Sequence, residues 1–176
     1  MERVLLDEKA VERTVNRITL EILEKNQGSK QLSLIGIRTR GIFLAKRMKD
    51  KIKEIENREL PLGVLDITMY RDDIAKLKGP LEVKKTDIPF NVNNMTIVLI
   101  DDVLYTGRTT RAAIDAIMDL GRPNKIQLAV LVDRGARELP IQPDYTGIFH
   151  TAAAEEEIWV KLREVDGKDE VLLSTK

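Results

Sequence analysis

Two adjacent carboxylates, Asp101 and Asp102, follow the apolar run Val98-Leu99-Ile100 and precede Tyr105-Thr106-Gly107-Arg108-Thr109-Thr110. The second stretch has the makings of an anion cradle. Gly107 leaves a backbone position free of Cβ, the threonines supply hydroxyl donors, and a helix starting here would present its first amides unpaired. Acids beside such a cradle repel its anion unless they serve something positive or something rich in hydroxyl donors. A ribose 5-phosphate with Mg²⁺ meets both conditions: the loop takes the phosphate, and Asp101 and Asp102 accept from the 2- and 3-hydroxyls or hold the metal through water.

Taken singly, an acid pair is a polar strand end and Gly107-Arg108 a turn. The order of apolar run, acid pair, glycine turn, hydroxyl cluster and helix is what carries the reading. The loop is neither a Walker A sequence nor a dinucleotide fingerprint, because G-x-x-x-x-G-K and G-x-G-x-x-G are both missing. A metal-dependent phosphohydrolase is the weaker use of the same acids: there is no D-x-D nucleophile, and His150, the one histidine, has no metal-ligand company.

The elements that must position these groups show in the apolar spacing. Asp7 caps a helix over about residues 8–26, carrying Val11, Val15, Ile18, Ile22 and Leu23, with Gly28 to end it. Residues 32–37 read as a buried strand, followed by a helix bearing Ile42, Leu44, Ala45, Met48 and Ile52. Strands are expected at 62–70, 96–100 and 125–132, with a helix over 109–120. This alternation predicts an α/β fold with a right-handed, mostly parallel sheet, and ligands at the carboxyl ends of its strands. Residues 71–89 lack periodicity, as functional or mobile segments do. The tail from about 140 reads as a small hairpin or cap, with strands near 158–162 and 171–173 around Asp166-Gly167. Trp159 within it reads as packing in the tail or at a subunit contact, rather than stacking on a ligand.

Composition bounds the rest. A chain of 176 residues suits one domain, 1–176, and 43% hydrophobic with 33% charged residues suits a globular fold. No apolar run approaches the ~20 residues of a membrane span, and the first residues lack a secretory leader's apolar stretch, so a cytoplasmic protein is expected. The absence of cysteine removes disulfides, thiolate metal sites and cysteine nucleophiles. With 29 basic and 29 acidic residues there is no global footprint for nucleic acid, though a local basic face remains open.

The stretch from Val98 to Thr110 resembles the phosphoribosyl pyrophosphate (PRPP) signature of type I phosphoribosyltransferases. With GIRTRG (36–41), DITMYRDD (66–73), DLGRP (119–123), QLAVLVDRG (127–135) and RELPI (137–141), nearly the whole chain resembles the PyrR family, whose members join uracil phosphoribosyltransferase activity to attenuation of pyrimidine operons. The resemblance implies a type I phosphoribosyltransferase fold, a mostly parallel five-stranded sheet flanked by helices with a small hood. It implies conversion of uracil and PRPP to UMP and pyrophosphate with Mg²⁺, in a homodimer or larger assembly.

By that resemblance Asp101 and Asp102 anchor the ribose and hold Mg²⁺, if through water. Val103, Leu104, Tyr105, Thr106, Gly107, Arg108, Thr109 and Thr110 complete the PRPP site. Thr39 and Arg40 meet the pyrophosphate, and Arg71 reaches in from a closing loop at about 71–89. Val132, Asp133 and Arg134 hold the base. Members that regulate transcription bind leader RNA when a uridine nucleotide is bound, on a face where this chain keeps Arg17 and Arg137. Asn16, Leu20, Ala136, Gln142 and Ile148 replace the polar or basic residues expected there, which weakens phosphate and base contacts. The alternative reading is a nucleotide-sensing RNA regulator with little catalysis.

Overall fold

The computed structural model describes residues 2–76 and 79–175. Met1, Leu77, Lys78 and Lys176 lie outside the described residues, and with them part of the 71–89 stretch and both ends of the expected 1–176 domain. In chain order the elements are β1 (Glu2–Leu6), α1 (Glu8–Lys25), β2 (Leu32–Ile37), α2 (Arg40–Glu56), β3 (Leu62–Leu65), β4 (Thr96–Leu104), α3 (Arg108–Leu120), β5 (Lys125–Asp133), β6 (Tyr145–Phe149), β7 (Glu156–Lys161), α4 (Arg163–Asp166) and β8 (Glu170–Thr175). Short 3₁₀ turns lie at Thr68–Tyr70 and Ile74–Lys76.

Five strands form one parallel sheet in the order β3-β2-β4-β5-β6. Both faces are covered, which is why β2 is buried along its whole length and reads as a continuous apolar run broken only by Ser33 and Gly36. On one face α1 and α2 pack Val11, Ile18, Ile22, Leu44, Met48 and Ile52 against Leu34, Val98, Ile100 and Leu131. On the other, Ala113, Ala116 and Ile117 of α3 meet Ile35, Ile97, Leu99, Leu128 and Val130. The chain leaves β2 toward β3 and leaves β4 toward β5, so the winding direction reverses between β2 and β4. Ligands of open α/β sheets lie at the carboxyl ends of the strands at such a switch point.

A second, antiparallel sheet β1-β8-β7 forms the hood over this end. Its inner residues Val160, Leu162 and Val171 join the α1–α2 core. Its turn is held by Asp169, whose side chain is fully buried and accepts from Arg47 (3.0 and 2.7 Å), Arg163 (2.8 and 2.6 Å) and the Arg163 amide at 2.8 Å. Among the described residues, no helix is long and apolar enough to cross a membrane.

Four sequence expectations need correction. The strand expected over 62–70 stops at Leu65, because the Asp66 carboxylate takes the amides of Thr68 (2.8 Å) and Lys84 (2.6 Å) and turns the backbone away from the sheet. The strand expected at 96–100 continues to Leu104, so the acid pair lies within β4, with Asp101 opposite Val130, and not after it. The tail supplies the fifth core strand, β6, before its hairpin. Finally, β1 pairs with β8 where no strand was expected.

Candidate active site

Two glycines seat the first turn of α2 against the ends of β2 and β4. A Cβ at Gly36 would fall 2.5 Å from the Ile42 Cα, and one at Gly41 would overlap the Ile100 carbonyl oxygen while lying 3.3 Å from the Asp101 Cα. Only glycine permits this approach. It brings Thr39 and Arg40, which follow the cis Arg38–Thr39 peptide, beside the acid pair.

Asp101 is buried, at 8% exposure, and Asp102 is half-buried. Their Oδ1 atoms accept the amides of Asp102 (2.9 Å) and Val103 (3.0 Å). Among the described residues neither acid forms an ion pair with a cation. Burial, followed by the neighbouring Asp102 charge, pushes the Asp101 carboxyl well above the usual carboxylate range. Such a pair is relieved by a cation or by hydroxyl donors.

The cradle follows on the same strand. Gly107 adopts a left-handed φ of 92° and caps α3, whose first turn has no acidic residue and no side-chain cap. A strap, residues 133–141, crosses behind it. Leu104 O accepts from the Arg134 amide (2.9 Å), Tyr105 O from Arg137 Nη1 (3.0 Å), and Thr106 O from the amides of Glu138 (2.9 Å) and Leu139 (3.1 Å). In a trans peptide the N–H points opposite to the C=O. Turning three successive carbonyls to the strap therefore aims the amides of Tyr105, Thr106 and Gly107 to the other side, and none of the three has an acceptor among the described residues. They converge with the α3 N-terminus as anion donors.

Beside the cradle, a cavity of about 410 Å³ opens between the sheet and the hood, lined by Val103, Tyr105, Arg134, Glu156, Ile158 and Trp159 among others. The Arg134 guanidinium stacks 3.8 Å from the Tyr105 ring centroid and donates to Ala153 O (3.2 Å) and Glu156 O (2.8 Å), tying the end of β5 to the hood. Asp133, the last residue of β5, accepts the Gly135 amide at 2.9 Å. Of the three residues expected at the base, Arg134 lines this cavity, and Val132 and Asp133 precede it in the chain without lining it.

The cations expected around the anion are each held by the chain's own carboxylates. Arg40 makes a two-pronged contact to Asp166 of the hood (2.9 and 3.2 Å), Arg71 one to Asp73 (2.8 Å at both nitrogens), and Arg108 bridges Glu138 (2.6 Å) and Asp72. Arg40 and Arg108 border the acid pair and the cradle, whereas Arg71 is directed to its own turn. Of the two arginines expected at an RNA face, Arg17 pairs with Glu21 (2.6 Å) and caps carbonyls of β6, Thr146 at 3.3 Å and Gly147 at 2.5 Å. Arg137 lies in the strap, its side chain 15% exposed.

Sequence reasoning missed Asp166, Glu138, Asp72 and Arg38, which donates to Lys85 O at 2.9 Å and ties down the far end of the 71–89 stretch. The runs GIRTRG, DITMYRDD and RELPI contain three of these four, so the signal was in the motifs, without a partner to assign. Asp166 was visible only as a turn residue.

Comparison with known proteins agrees with this geometry. The family model of the phosphoribosyl transferase domain matches residues 3–162. The "Bifunctional protein PyrR" of Halalkalibacterium halodurans is 53% identical, covering 100% of this chain and 99% of its own length. That of Pelotomaculum thermopropionicum is 52% identical over 96% of this chain and 93% of its own. Among solved structures, the hypoxanthine phosphoribosyltransferase of Trypanosoma cruzi superposes with a TM-score of 0.74 at 12% identity, covering 98% of this chain and 96% of that one, and shares the fold. With a sheet, hood and acid-bearing β4 of this kind, and full-length relatives at this identity, the chain belongs to the PyrR family of phosphoribosyltransferases.

Proposed function

We propose that this phosphoribosyltransferase takes uracil as its base, forming UMP and pyrophosphate from uracil and PRPP. The observation that carries the reading is the Asp101–Asp102 pair, Asp101 buried and Asp102 half-buried, which has no ion-pair partner among the described residues and is flanked at the switch point by cradle amides that have no acceptor among them. A sugar phosphate divides between them: the 5-phosphate on the amides of residues 105–107 and the first turn of α3, the ribose hydroxyls on the acids. N1 of uracil bonds to the anomeric carbon as the bond to the pyrophosphate oxygen breaks, and the N1 proton passes to solvent. Positive charge grows on the ribose ring meanwhile, and the acids beside it stabilise that charge. Thr39 and Arg40 sit where the leaving group departs, and Arg40 carries a permanent cation for it.

Mg²⁺ fits the same acids. They are hard oxygen donors with no ion-pair partner among the described residues, and a magnesium site needs only one or two carboxylates when substrate phosphates and water complete it. When bound, the metal neutralises charge on the pyrophosphate. The 71–89 stretch, with Arg71, closes over the site to keep water from the sugar cation. The cavity bordered by Val103, Tyr105 and Arg134 takes the base, with backbone groups of residues 132–134 reading its edge. The chain acts as one domain and as a homodimer or larger assembly, in the cytoplasm. The test is to follow UMP, IMP and orotidylate formation from PRPP with uracil, hypoxanthine and orotate. Turnover of uracil alone is expected, and preference for another base would overturn the assignment.

For the regulatory role, the relatives' name, bifunctional PyrR, supports binding of a pyrimidine leader RNA in the presence of UMP beside catalysis. Arg17 and Arg137 are partly engaged with acceptors of the protein itself, and Asn16, Leu20, Ala136, Gln142 and Ile148 bring no cation, so the RNA affinity is expected to be modest and salt-dependent. No UMP-dependent retention of any pyrimidine leader hairpin at low salt would overturn the regulatory role.

A further inference from the structure

We infer that Asp66 is a positioning residue for phosphoribosyl transfer: with Arg38 it clasps both ends of the 71–89 stretch to the segment that meets the pyrophosphate, and so sets where that stretch closes. The inference rests on the proposed reading that residues 71–89 close over the site.

The clasp joins three pieces of chain. On the entry side, Asp66 Oδ1 accepts from the Thr68 amide at 2.8 Å and the Thr68 hydroxyl at 2.6 Å. On the exit side, 18 positions later, Oδ2 accepts from the Lys84 amide at 2.6 Å. Thr86 reaches back, its hydroxyl oxygen accepting from the Asp66 amide at 3.0 Å and donating to Asp66 O at 3.3 Å. Val64 and Asp87 exchange backbone bonds of 2.7 and 2.8 Å beside them. The third piece is Arg38, immediately before Thr39 and Arg40. Its amide donates to Leu65 O at 2.9 Å and its guanidinium to Lys85 O at 2.9 and 3.3 Å.

One carboxylate oxygen thus holds the entry and the other the exit. Burial opposes the Asp66 charge, yet the bonds from Thr68 and Lys84, with the Arg38 cation, hold its carboxyl below the usual carboxylate range. An ionised carboxylate offers acceptors only, which is what three facing donors require. Between the roots, residues from Gly79 to Val83 have no hydrogen-bond partner among the described residues, and Leu81 and Val83 stand exposed. The span is free to swing while its roots are fixed beside the pyrophosphate segment. Loosening the roots lets water in: its oxygen bonds to the anomeric carbon as the bond to pyrophosphate breaks, a proton passes to solvent, and ribose 5-phosphate forms in place of UMP.

The experiment compares wild type, Asp66→Asn and Thr86→Val for kcat and for pyrophosphate released per UMP formed from uracil and Mg²⁺–PRPP. Tryptic cleavage after the exposed Arg71, Lys76, Lys84 and Lys85 is followed with and without Mg²⁺–PRPP, and thermal unfolding is recorded alongside. Asp66→Asn presents an amide nitrogen to one of its donors, and kcat is expected to fall about ten- to a hundredfold, the scale for a small displacement remote from the chemistry. Pyrophosphate is released in excess over UMP, and protection from trypsin by Mg²⁺–PRPP is lost. Thr86→Val, which removes only the hydroxyl, moves the same way and less. A merely structural role lowers the unfolding midpoint and leaves one pyrophosphate per UMP. A folded Asp66→Asn within twofold of wild type in kcat, with one pyrophosphate per UMP and wild-type protection, overturns the inference; if that variant does not fold, the same result in Thr86→Val overturns it. If Mg²⁺–PRPP gives wild type no protection, the closure reading fails and takes the inference with it. If wild type is protected but makes no UMP, only the uracil reading fails, and protection of the variants decides Asp66.

Discussion

Two buried aspartates mark the two ends of what an acid does in this molecule. Asp169 in the hood is surrounded: Arg47 and Arg163 reach it with four hydrogen bonds and a backbone amide adds a fifth. Its carboxyl is held down at about 2, against ordinary 3.8. Asp101 on β4 is buried too, yet among the described residues its carboxylate accepts only a backbone amide, with another acid beside it, and its carboxyl is pushed up. Burial opposes both charges, and bonding to cations outweighs it in one place only. The first arrangement is complete without a ligand. The second stores an unmet demand that, on the proposed reading, ribose hydroxyls and a metal ion answer.

Removing the charge should therefore act in opposite directions. Asp169→Ala leaves two guanidinium groups without their shared acceptor, and unfolding stability is expected to fall by about 3–5 kcal/mol, read by urea titration. Because the folded value is depressed, the stabilisation is complete above the ordinary 3.8 and is lost as pH falls toward about 2. Asp169→Asn should flatten that acid limb. A loss under about 1 kcal/mol in Asp169→Ala would place the pair among surface ion pairs and break the comparison.

Asp101→Asn is the counterpart. It keeps an oxygen for the Asp102 amide and removes the like charge, so the unliganded protein is expected to unfold at a higher temperature at neutral pH. The folded carboxyl is raised, so whatever stability it contributes is present at low pH and lost as pH rises through the folded value, and the gain from asparagine grows in the same direction. UMP formation should fall about a hundred- to a thousandfold, the scale for losing a preorganised group at a developing charge. A variant that loses stability as well as activity would mean that the acid holds the fold, as Asp169 does.

These two centres differ also in how far they could be read from the chain. Residues 98–110 carry acids, cradle and helix start in one contiguous run, so the site's core was legible, as were α1, α2, β2 and β5 from their apolar spacing. Asp169 was not, because its partners lie six residues and 122 residues away, with no local pattern linking them. The same holds for Arg137 and Tyr105, 32 positions apart. β6 escaped because Tyr145-Thr146-Gly147-Ile148-Phe149 follows two prolines and contains a glycine, which otherwise marks a break. Here Gly147 exists so that α1 can lie close: a Cβ would come 2.7 Å from the Thr14 Cγ2 and overlap the Leu131 carbonyl. β1 shows only an exposed start, Glu2-Arg3-Val4, and gains its strand form from β8.

Between the extremes lies the cradle itself, where the demand is conformational. Gly107→Ala places a Cβ at ordinary distance, 3.4 Å, from Ile141 and Leu139, so the cost is the left-handed φ of 92°. That is worth about 1–2 kcal/mol of stability. Relief of the strain would rotate the 106–107 peptide and raise KM for PRPP, measurable alongside the unfolding midpoint. An unchanged KM would show that the Gly107 amide takes no part in holding phosphate.

The smallest effect tests an acid that shares both characters. Asp166 in α4 accepts from Arg40 at 2.9 and 3.2 Å and from the Leu162 amide at 2.9 Å, and Arg40 first of all holds its carboxyl below the usual range. The pair is partly open, at 28% and 21% exposure of the two side chains, so Asp166→Asn should cost no more than about 1 kcal/mol of stability. Its functional consequence runs the other way. While Asp166 neutralises Arg40, the pyrophosphate has to compete for that guanidinium, and asparagine removes the competitor's charge. Pyrophosphate should then bind about two- to fivefold tighter as a product inhibitor, the fold-change equivalent of a pair this exposed. Unaltered inhibition would assign Arg40 to the hood alone and leave the leaving group to Thr39, the neighbouring amides and Mg²⁺.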